Sequence, residues 1–295
     1  MTPDFGILTL STQKDYQKAV GLALSLKMTN PDISTSVVCS QRVARKIGRY
    51  FDTVVNENND LKGFEHKIFL DHYSPYKKTF FLDADILVFK KLEPILKTWN
   101  GRSYTAGGRY TQSGVSTFGL DREFVLNKFN KKRFADISGA GHAYFEKPAC
   151  NDIFELARKI MSDYDEYANP CKFADEDVMG VAMTLLEIDP VNSLGFLGSP
   201  WHAKKGTLSM NIAESSCEYV DKIHGKVAPY FVHFPRMGFP FLYTKALHRL
   251  YRMNNISTVG LWTDMIRQKF ITDMMWPVLA VRKKLLGRTA MKNNP

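Results

Sequence analysis

Residues 80–88 read Phe-Phe-Leu-Asp-Ala-Asp-Ile-Leu-Val, which places two carboxylates, Asp83 and Asp85, within an otherwise apolar run. Residues 79–82 read as a buried strand, so both carboxylates directly follow its end. Ligands of open α/β sheets bind at the carboxyl ends of strands, and a buried carboxylate is costly unless it is paired or metal-bound. Two oxygen donors here predict a Mn²⁺ or Mg²⁺ site whose shell is completed by phosphates. The alternative is a strand-ending turn with solvated acids.

Apolar strands alternate with helical patterns around this run. The predicted strands cover residues 5–10, 35–39, 52–56, 79–82 and 231–234, and the predicted helices cover residues 15–28, 43–51, 66–73, 151–164 and 174–186. Such alternation is typical of an α/β fold. We therefore predict a Rossmann-like, mostly parallel sheet with helices on both faces.

The bulk composition is that of a globular protein, with 295 residues, 44% hydrophobic and 24% charged. Its four cysteines are Cys39, Cys150, Cys171 and Cys217. They are far apart in the sequence, which argues against a zinc site and against a disulfide framework. Residues 1–10 lack the pattern of a secretory signal, and no run approaches the roughly 20 apolar residues of a transmembrane helix. A cytoplasmic location is the expectation.

The net charge of +10 is concentrated near the C-terminus. Residues 242–292 hold ten Lys and Arg residues against two acids, so this segment carries +8 of the total. We predict a catalytic domain over residues 1–243 and a basic, partly amphipathic helical extension over residues 244–295. Apolar residues lie beside the cations of segment 270–292, which is typical of a segment in the interface of an anionic membrane. The alternative is a helix that docks on the domain, and Pro277 argues against one continuous helix.

Further candidate site residues lie in three other segments. His233 interrupts an apolar strand, and it is either a core histidine or a metal ligand that joins the carboxylate pair. Asp175 and Glu176 open a predicted helix, where acids either cap the helix or face a sugar. Small hydroxyl residues at the end of the first strand could hold the base or ribose of a nucleotide, and the aromatic ring that follows them could stack on the base. The alternative is an ordinary loop at the start of a helix. This last group comprises Thr9, Leu10, Ser11, Thr12 and Tyr16.

Taken in order, these segments resemble the glycogenin-like retaining glycosyltransferases, often called family 8. The resemblance spans roughly residues 6–243. It is carried by Leu8 to Thr12 with Tyr16, Ser25-Leu26-Lys27, Lys67, Asp83-Ala84-Asp85 with Ile86-Leu87, Asp175-Glu176-Asp177, His233-Phe234 and Pro240. No single segment is specific to this family, but the occurrence of all of them in this order is.

The resemblance implies a GT-A glycosyltransferase that uses a nucleotide-sugar donor, most often a UDP-sugar, with Mn²⁺ or Mg²⁺. It implies that Asp83, Asp85 and His233 bind the metal and that Lys67 contacts the phosphates of the donor. The base and ribose would lie against Leu10, Thr12 and Tyr16, with Thr9, Ser11 and Ala84 nearby. Asp175 and Glu176 would lie on the sugar side. The acceptor, a glycan, a lipid-linked molecule or a protein, is not identified by any motif.

The sequence departs from the family at three places. The family's Gln in its second acidic motif is Glu176, which leaves retention or inversion open because a carboxylate there could be a nucleophile or base. The usual Lys after the His-Phe motif is Phe239, and Arg236 is the candidate to replace its phosphate contact. The usual Asn-Ser-Gly of the sugar pocket is replaced at residues 138–141, where Ser138 is the candidate.

Two other functions are compatible with parts of this pattern. A sugar nucleotidyltransferase would need a Gly-rich N-terminal loop, which Gly6-Ile7-Leu8-Thr9 does not supply. A non-catalytic basic protein that binds lipid or nucleic acid would account for the charge. However, the sequence lacks the aromatic-interleaved basic patches of an RNA-binding sheet, so nucleic acid is not an expected partner.

Overall fold

The structure, a computed structural model, describes residues 3–137, 141–192, 195–235 and 240–270. Its largest sheet has six strands in the order β3-β2-β1-β4-β9-β6. The strands are β1 (Phe5–Leu10), β2 (Ser34–Cys39), β3 (Thr53–Asn56), β4 (Lys78–Leu82), β6 (Tyr104–Ala106) and β9 (His142–Glu146). β1 to β4 pair in parallel, and β9 is antiparallel to both of its neighbours. The mostly parallel sheet that the sequence predicts is therefore present.

Helices cover both faces of this sheet. They are α1 (Tyr16–Thr29), α2 (Gln41–Ile47), α3 (Leu70–Tyr73), α4 (Glu93–Trp99), α5 (Arg122–Lys128), α6 (Asn151–Ser162), α7 (Tyr164–Tyr167) and α8 (Asp175–Leu185). Successive strand residues point to opposite faces. Ile7 of β1 lies in one core cluster with Leu22 of α1 and Trp99 of α4. Leu8 lies in the other cluster, with Ile153 of α6.

A second, three-stranded sheet brings a distant segment to the end of β4. It consists of β5 (Ile86–Val88), β14 (Phe231–His233) and β10 (Leu197–Gly198), in the order β10-β14-β5. β5 follows β4 after the turn that holds the two aspartates. β14 pairs antiparallel with β5 so that His233 lies opposite Ile86. This pairing joins residues about 150 positions apart in the chain, and it places His233 beside the Asp83–Asp85 turn.

A pair of short strands, β7 (Arg109–Thr111) and β8 (Phe134–Asp136), is antiparallel. Between β7 and α5 the chain forms a loop, residues 112–121, which is called loop 112–121 below. Its turn is closed by a hydrogen bond of 2.8 Å from Ser116 N to Leu120 O. The N-cap of α5 is Asp121, whose carboxylate accepts from the backbone N–H of Glu123 and Phe124.

The chain divides into two compact units. Unit 1 comprises residues 1–198 and 228–233, and it contains both sheets described above. Unit 2 comprises residues 199–227 and 234–295. Its elements are β11 (Ser209–Asn211), β12 (Ser216–Asp221), β13 (Gly225–Val227), α9 (Pro240–Met253) and α10 (Val259–Phe270). The functional division at Tyr243, which lies within α9, stays a prediction.

Some predicted elements differ from those observed. Residues 66–73, predicted as one helix, form a 3-10 helix at Gly63–Phe69 and a single α-helical turn at Leu70–Tyr73. The predicted helix over residues 151–164 ends at Ser162, because Asp163 leaves helical geometry before the short α7 begins. The 3-10 helix matters for function, since it carries Lys67.

The C-terminal extension is described only as far as α10. Segment 271–295, with most of the predicted membrane-binding residues, lies outside the described residues. Among the residues that are described, no helix combines the length and the apolar character that crossing a bilayer requires.

Candidate functional site

Three side chains that could hold a metal ion meet at the carboxyl end of β4. Asp83 and Asp85 lie in the turn between β4 and β5, and His233 ends β14. Their ligand atoms all lie within 4.8 Å of one another. His233 Nε2 is 3.1 Å from Asp85 Oδ1 and 3.8 Å from Asp83 Oδ2. The sequence predicted these three residues as one group, and the structure brings them together.

Gly141 leaves the space that an ion at this cluster needs. Its backbone has a φ of +45°, and its carbonyl accepts a hydrogen bond of 2.7 Å from Asp83 N. A Cβ at this position would lie 2.9 Å from His233 Cε1 and 3.1 Å from Asp83 Oδ2. Two carboxylates and an imidazole around such a space are a donor set that fits Mn²⁺. The residues present therefore fit a divalent metal.

Lys67 joins this cluster to α8. Its ammonium lies 2.9 Å from Asp83 Oδ1 and 3.2 Å from Asp175 Oδ2. All three side chains are mostly buried, with about a fifth or less of each exposed. Burial alone would lower the pKa of Lys67, but the charges of Asp175 and Asp83 raise it above its ordinary value. Lys67 is therefore a fixed cation between the predicted metal site and the predicted sugar side.

Burial and nearby charges shift the pKa values of Asp83, Asp85 and His233. Burial raises the pKa of Asp83, against the opposing charges of Lys67 and His233. Burial acts in the same sense on Asp85, but the hydrogen bond and charge of His233 lower its pKa overall. The pKa of His233 is raised, because both carboxylates outweigh the effect of its burial. Positive charge near Asp83 and Asp85 thus favours their ionised forms, and a bound cation would act in the same sense.

The acids at the start of α8 do more than cap the helix. The N-cap residue, Ala174, makes no side-chain cap. Asp175 faces Lys67, and Asp177 accepts a hydrogen bond of 3.0 Å from Ser116 Oγ. Glu176 lines a cavity of about 40 Å³ together with Lys67 and Asp175. Capping alone is therefore not a sufficient explanation of this acidic run.

The predicted base and ribose residues follow β1, a direct neighbour of the strand that leads to the predicted metal ligands. β1 and β4 are parallel neighbours, so the segment after Leu10 leaves the same edge of the sheet as Asp83. Thr9 and Ser11 are buried, whereas Thr12 is exposed and Tyr16 is half-buried. The ammonium of Lys46 lies 4.6 Å from the centre of the Tyr16 ring. Ala84 is buried between the two aspartates.

Sequence reasoning missed several residues of the site. Lys18 of α1 lies 3.5 Å from Asp85. Gly141 shapes the space between the predicted ligands, and Tyr104 lines the same cavity as Glu176. The position of Lys18 in the first turn of α1 and the Gly at the end of residues 138–141 were visible in the sequence, but nothing there indicated which side chains they approach. Ser138 and Arg236, predicted to contact the donor, lie outside the described residues, as does Phe239.

No protein-family model matches the chain, and no curated protein matches it. Solved structures are similar to it in fold. The galactosyltransferase LgtC, in complex with donor and acceptor sugar analogues, aligns with a TM-score of 0.56 and 15% identity over 88% of this chain and 99% of LgtC. For apo WbbM, a bifunctional glycosyltransferase, the TM-score is 0.54 and the identity 10%, over 85% of this chain and 52% of WbbM.

The apo form of mouse xyloside xylosyltransferase 1 is also similar, with a TM-score of 0.50 and 11% identity over 78% of this chain and 97% of that one. These alignments span most of the chain. The chain has the GT-A fold, and the fold class predicted from the sequence is confirmed. The narrower assignment to the glycogenin-like family stays a prediction.

The Gly141→Ala variant tests whether the space between the ligands is needed. We expect its Mn²⁺ affinity to fall about 10- to 100-fold, a typical cost of disturbing metal ligation. Titration of Mn²⁺ followed by electron paramagnetic resonance measures this. The control is Gly101→Ala, which also places alanine at positive φ (+85°) but meets no atom within 4 Å. Equal affinities in the two variants would mean that Gly141 does not shape a metal site.

Protonation of Asp177 makes the free energy of unfolding depend on pH. Burial raises its pKa from 3.8 to about 6, even though Ser116 and Arg122 favour the charged form. The folded state therefore holds a proton that the unfolded state has lost between about pH 4 and 6, and this contribution to stability falls as pH rises through that window. The full change is about 3 kcal/mol, at about 1.4 kcal/mol per pKa unit.

Asp177→Asn removes this titration and retains a hydrogen-bond acceptor for Ser116. We expect the free energy of unfolding of the variant, relative to wild type, to rise by about 2–3 kcal/mol between pH 4 and pH 7. Urea unfolding at both pH values measures the difference, with Asp60→Asn, an exposed site, as the control. If the free energies of unfolding of the variant and the wild type differ by the same amount at pH 4 and at pH 7, the raised pKa of Asp177 is contradicted.

Proposed function

We propose that this chain is a divalent-metal-dependent glycosyltransferase that transfers a sugar from a UDP-sugar to an acceptor with retention of configuration. The observation that carries the proposal is one arrangement of charged groups. Asp83, Asp85 and His233 form a ligand set, and Lys67 links it to Asp175 at the start of α8. A nucleotide sugar presents the complementary chemistry, with a diphosphate for the metal side and hydroxyl groups for the carboxylate side.

The GT-A fold supports the same conclusion. LgtC, WbbM and mouse xyloside xylosyltransferase 1 are named as glycosyltransferases, and LgtC was solved with donor and acceptor sugar analogues. A shared fold does not by itself fix a function, so the proposal rests on the site. The predicted third ligand, His233, lies beside the two aspartates although it is 148 positions from Asp85 in the chain.

The bound Mn²⁺ or Mg²⁺ would neutralise the negative charge of the departing nucleoside diphosphate. Lys67 supplies a second positive charge. Its ammonium pairs with Asp83 and Asp175, and it can donate to a diphosphate oxygen or to a sugar hydroxyl. This is a fixed cation placed where charge develops, which stabilises the transition state without reorganisation.

Asp175 and Glu176 face the region where the sugar would lie. As the bond to the diphosphate weakens, the anomeric carbon gains positive character, and nearby carboxylates stabilise it. Asp175 is already held by Lys67, so its position is fixed before the donor binds. Glu176 lines the adjoining cavity and is the second carboxylate proposed to lie at the sugar.

The nucleoside is proposed to lie over the segment between β1 and α1. Leu10, Ser11 and Thr12 leave the sheet next to the metal ligands, and the Tyr16 ring at the start of α1 provides a stacking surface. Lys46 beside this ring adds positive charge near the donor. Ser138 and Arg236 remain candidate donor contacts in the segments outside the described residues.

Peripheral association with an anionic membrane is a further part of the proposal. α9 and α10 carry exposed apolar residues, among them Trp262, Ile266 and Phe270, which are 50%, 65% and 60% exposed. Cations lie on the same helices and continue into segment 271–295. Co-sedimentation with anionic vesicles, with and without residues 270–295, tests this. Absence of binding by the full chain at low salt would contradict it.

Asp85→Asn tests the proposed function. We expect hydrolysis of the preferred UDP-sugar in Mn²⁺ to fall at least about 100-fold, because a charged ligand is lost at almost constant volume. Release of UDP from a panel of UDP-sugars measures the rate, and far-UV circular dichroism checks the fold. Asp60→Asn provides an exposed substitution of the same type as control. A folded Asp85→Asn protein with more than half of the wild-type rate would contradict metal ligation.

Glu176→Gln tests the stereochemical course. Since Gln is the residue that the resembled family carries here, we expect the variant to keep its rate within about tenfold and to form a product with the donor's anomeric configuration. NMR of the product identifies the anomer. A loss of about 10³-fold or more would instead indicate that Glu176 is a nucleophile or general base.

A further inference from the structure

A small cavity lies between the candidate metal site and the start of α8. Its volume is about 40 Å³, and Lys67, Asp175 and Glu176 line it. Gly141, the residue that faces Asp83 and His233, is also part of its wall. The cavity therefore lies where the sugar of the donor is proposed to bind, directly beside the predicted metal ligands.

Two alanines on neighbouring strands leave room for this cavity. Ala106 of β6 lies opposite Ala143 of β9 in the antiparallel pairing, and both line the cavity. Tyr104 precedes Ala106 by two positions, so its side chain points to the same face of the sheet. Ile137 and Met179 continue the wall, which is mostly apolar. The cavity is thus an apolar recess next to the charged groups of the site.

The hydroxyl group of Tyr104 adds a hydrogen-bond donor to this recess. The side chain is 4% exposed, and its ring packs edge to face on Phe154 with ring centres 5.6 Å apart. Among the residues that the structure describes, none forms a hydrogen bond with this hydroxyl. Burial raises the pKa of Tyr104, and the negative charge of Asp175 acts in the same sense, so the hydroxyl keeps its proton at neutral pH. A buried donor of this kind requires an acceptor from a ligand or from water.

We propose that this cavity receives the acetyl group of an N-acetylhexosamine, so that the donor is a UDP-N-acetylhexosamine. This inference rests on the proposed function and names its donor sugar. The acetyl carbonyl accepts a hydrogen bond from the Tyr104 hydroxyl, and the acetyl methyl group packs on Ile137 and Met179. The amide N–H donates to a carboxylate of the same wall, that of Asp175 or Glu176.

The size and the chemistry of the cavity favour an acetyl group over other substituents of a sugar. One water-sized group needs about 10–15 Å³, so about three such groups fill the cavity. An acetyl group has this size, whereas a hydroxyl group would leave most of the space empty and a complete hexose would not enter. The carboxylate of a hexuronic acid would lie against Asp175 and Glu176, where like charges are unfavourable.

The test compares UDP-sugars that differ only in the substituent at C2. Release of UDP by the full chain in Mn²⁺ is measured for UDP-N-acetylglucosamine against UDP-glucose and for UDP-N-acetylgalactosamine against UDP-galactose. The ratio of kcat/KM within a pair is called the acetamido selectivity below. We expect the wild type to show an acetamido selectivity of about tenfold or more in at least one pair, because only the acetamido donor fills the cavity.

Two variants change the cavity in different ways. Tyr104→Phe removes the hydroxyl group and keeps the ring that packs on Phe154, whereas Ala106→Val fills part of the space. We expect each to lower the acetamido selectivity about tenfold, since the lost hydrogen bond or the lost space concerns only the acetamido donor. Tyr144→Phe is the matched control and should keep the wild-type selectivity. Tyr144 is a buried tyrosine on the neighbouring strand β9, but it belongs to the other core cluster, and its hydroxyl donates to Glu146.

Equal kcat/KM values for the acetamido and the hydroxyl donor in both pairs would overturn the inference and leave the proposed function intact. Wild-type selectivity in both Tyr104→Phe and Ala106→Val would also overturn it, as would an equal loss of selectivity in Tyr144→Phe. A wild-type protein that releases UDP from no UDP-sugar would contradict the proposed function itself, and the inference would fall with it.

Discussion

The ion pairs of Lys67 with Asp83 and Asp175 are the interaction on which the rest of the site depends. Asp83, Asp85 and Asp175 lie at one edge of a buried sheet, where burial and the charge of Asp85 both raise the pKa of Asp83. Lys67 lies between two of them, and His233 lies against the third. A cation bound by Asp83, Asp85 and His233 would further stabilise the two aspartates.

This constraint accounts for several features of the fold. The 3-10 helix at Gly63–Phe69 carries Lys67 to the edge of the sheet, and the pairing of β14 with β5 carries His233 to it. Gly141 keeps the space between the ligands open. Ser116 fastens loop 112–121 to the start of α8 through its hydrogen bond to Asp177. Each device comes from a different part of the chain, and all act within unit 1.

The features that depend on the local pattern of apolar and polar residues could be predicted from the sequence. The apolar run around Asp83 and Asp85 marks a strand end, and the alternation of strands and helices marks an α/β fold. His233 required the order of motifs, since its own surroundings are equally typical of a core histidine. The 3-10 geometry around Lys67 was not predictable from periodicity, because residues 66–73 also suit an α-helix.

Contacts between distant segments lay beyond sequence reasoning. Gly141 has no pattern that reveals which side chains face it, and Tyr104 and Asp175, which line the same cavity, are 71 positions apart. The hydrogen bond of Ser116 to Asp177 joins a loop of irregular structure to a helix. Such pairs depend on how the chain packs in three dimensions, and neither propensity nor charge patterning specifies them.

The measurement that tests the central claim most directly is a crystal structure grown with Mn²⁺ and UDP, with the manganese located by anomalous scattering. The account predicts one ion bonded to Asp83, Asp85 and His233 Nε2 at roughly 2.0–2.3 Å, with diphosphate oxygens completing its shell. Manganese bound elsewhere, or UDP bound with no ion between these three side chains, would contradict it.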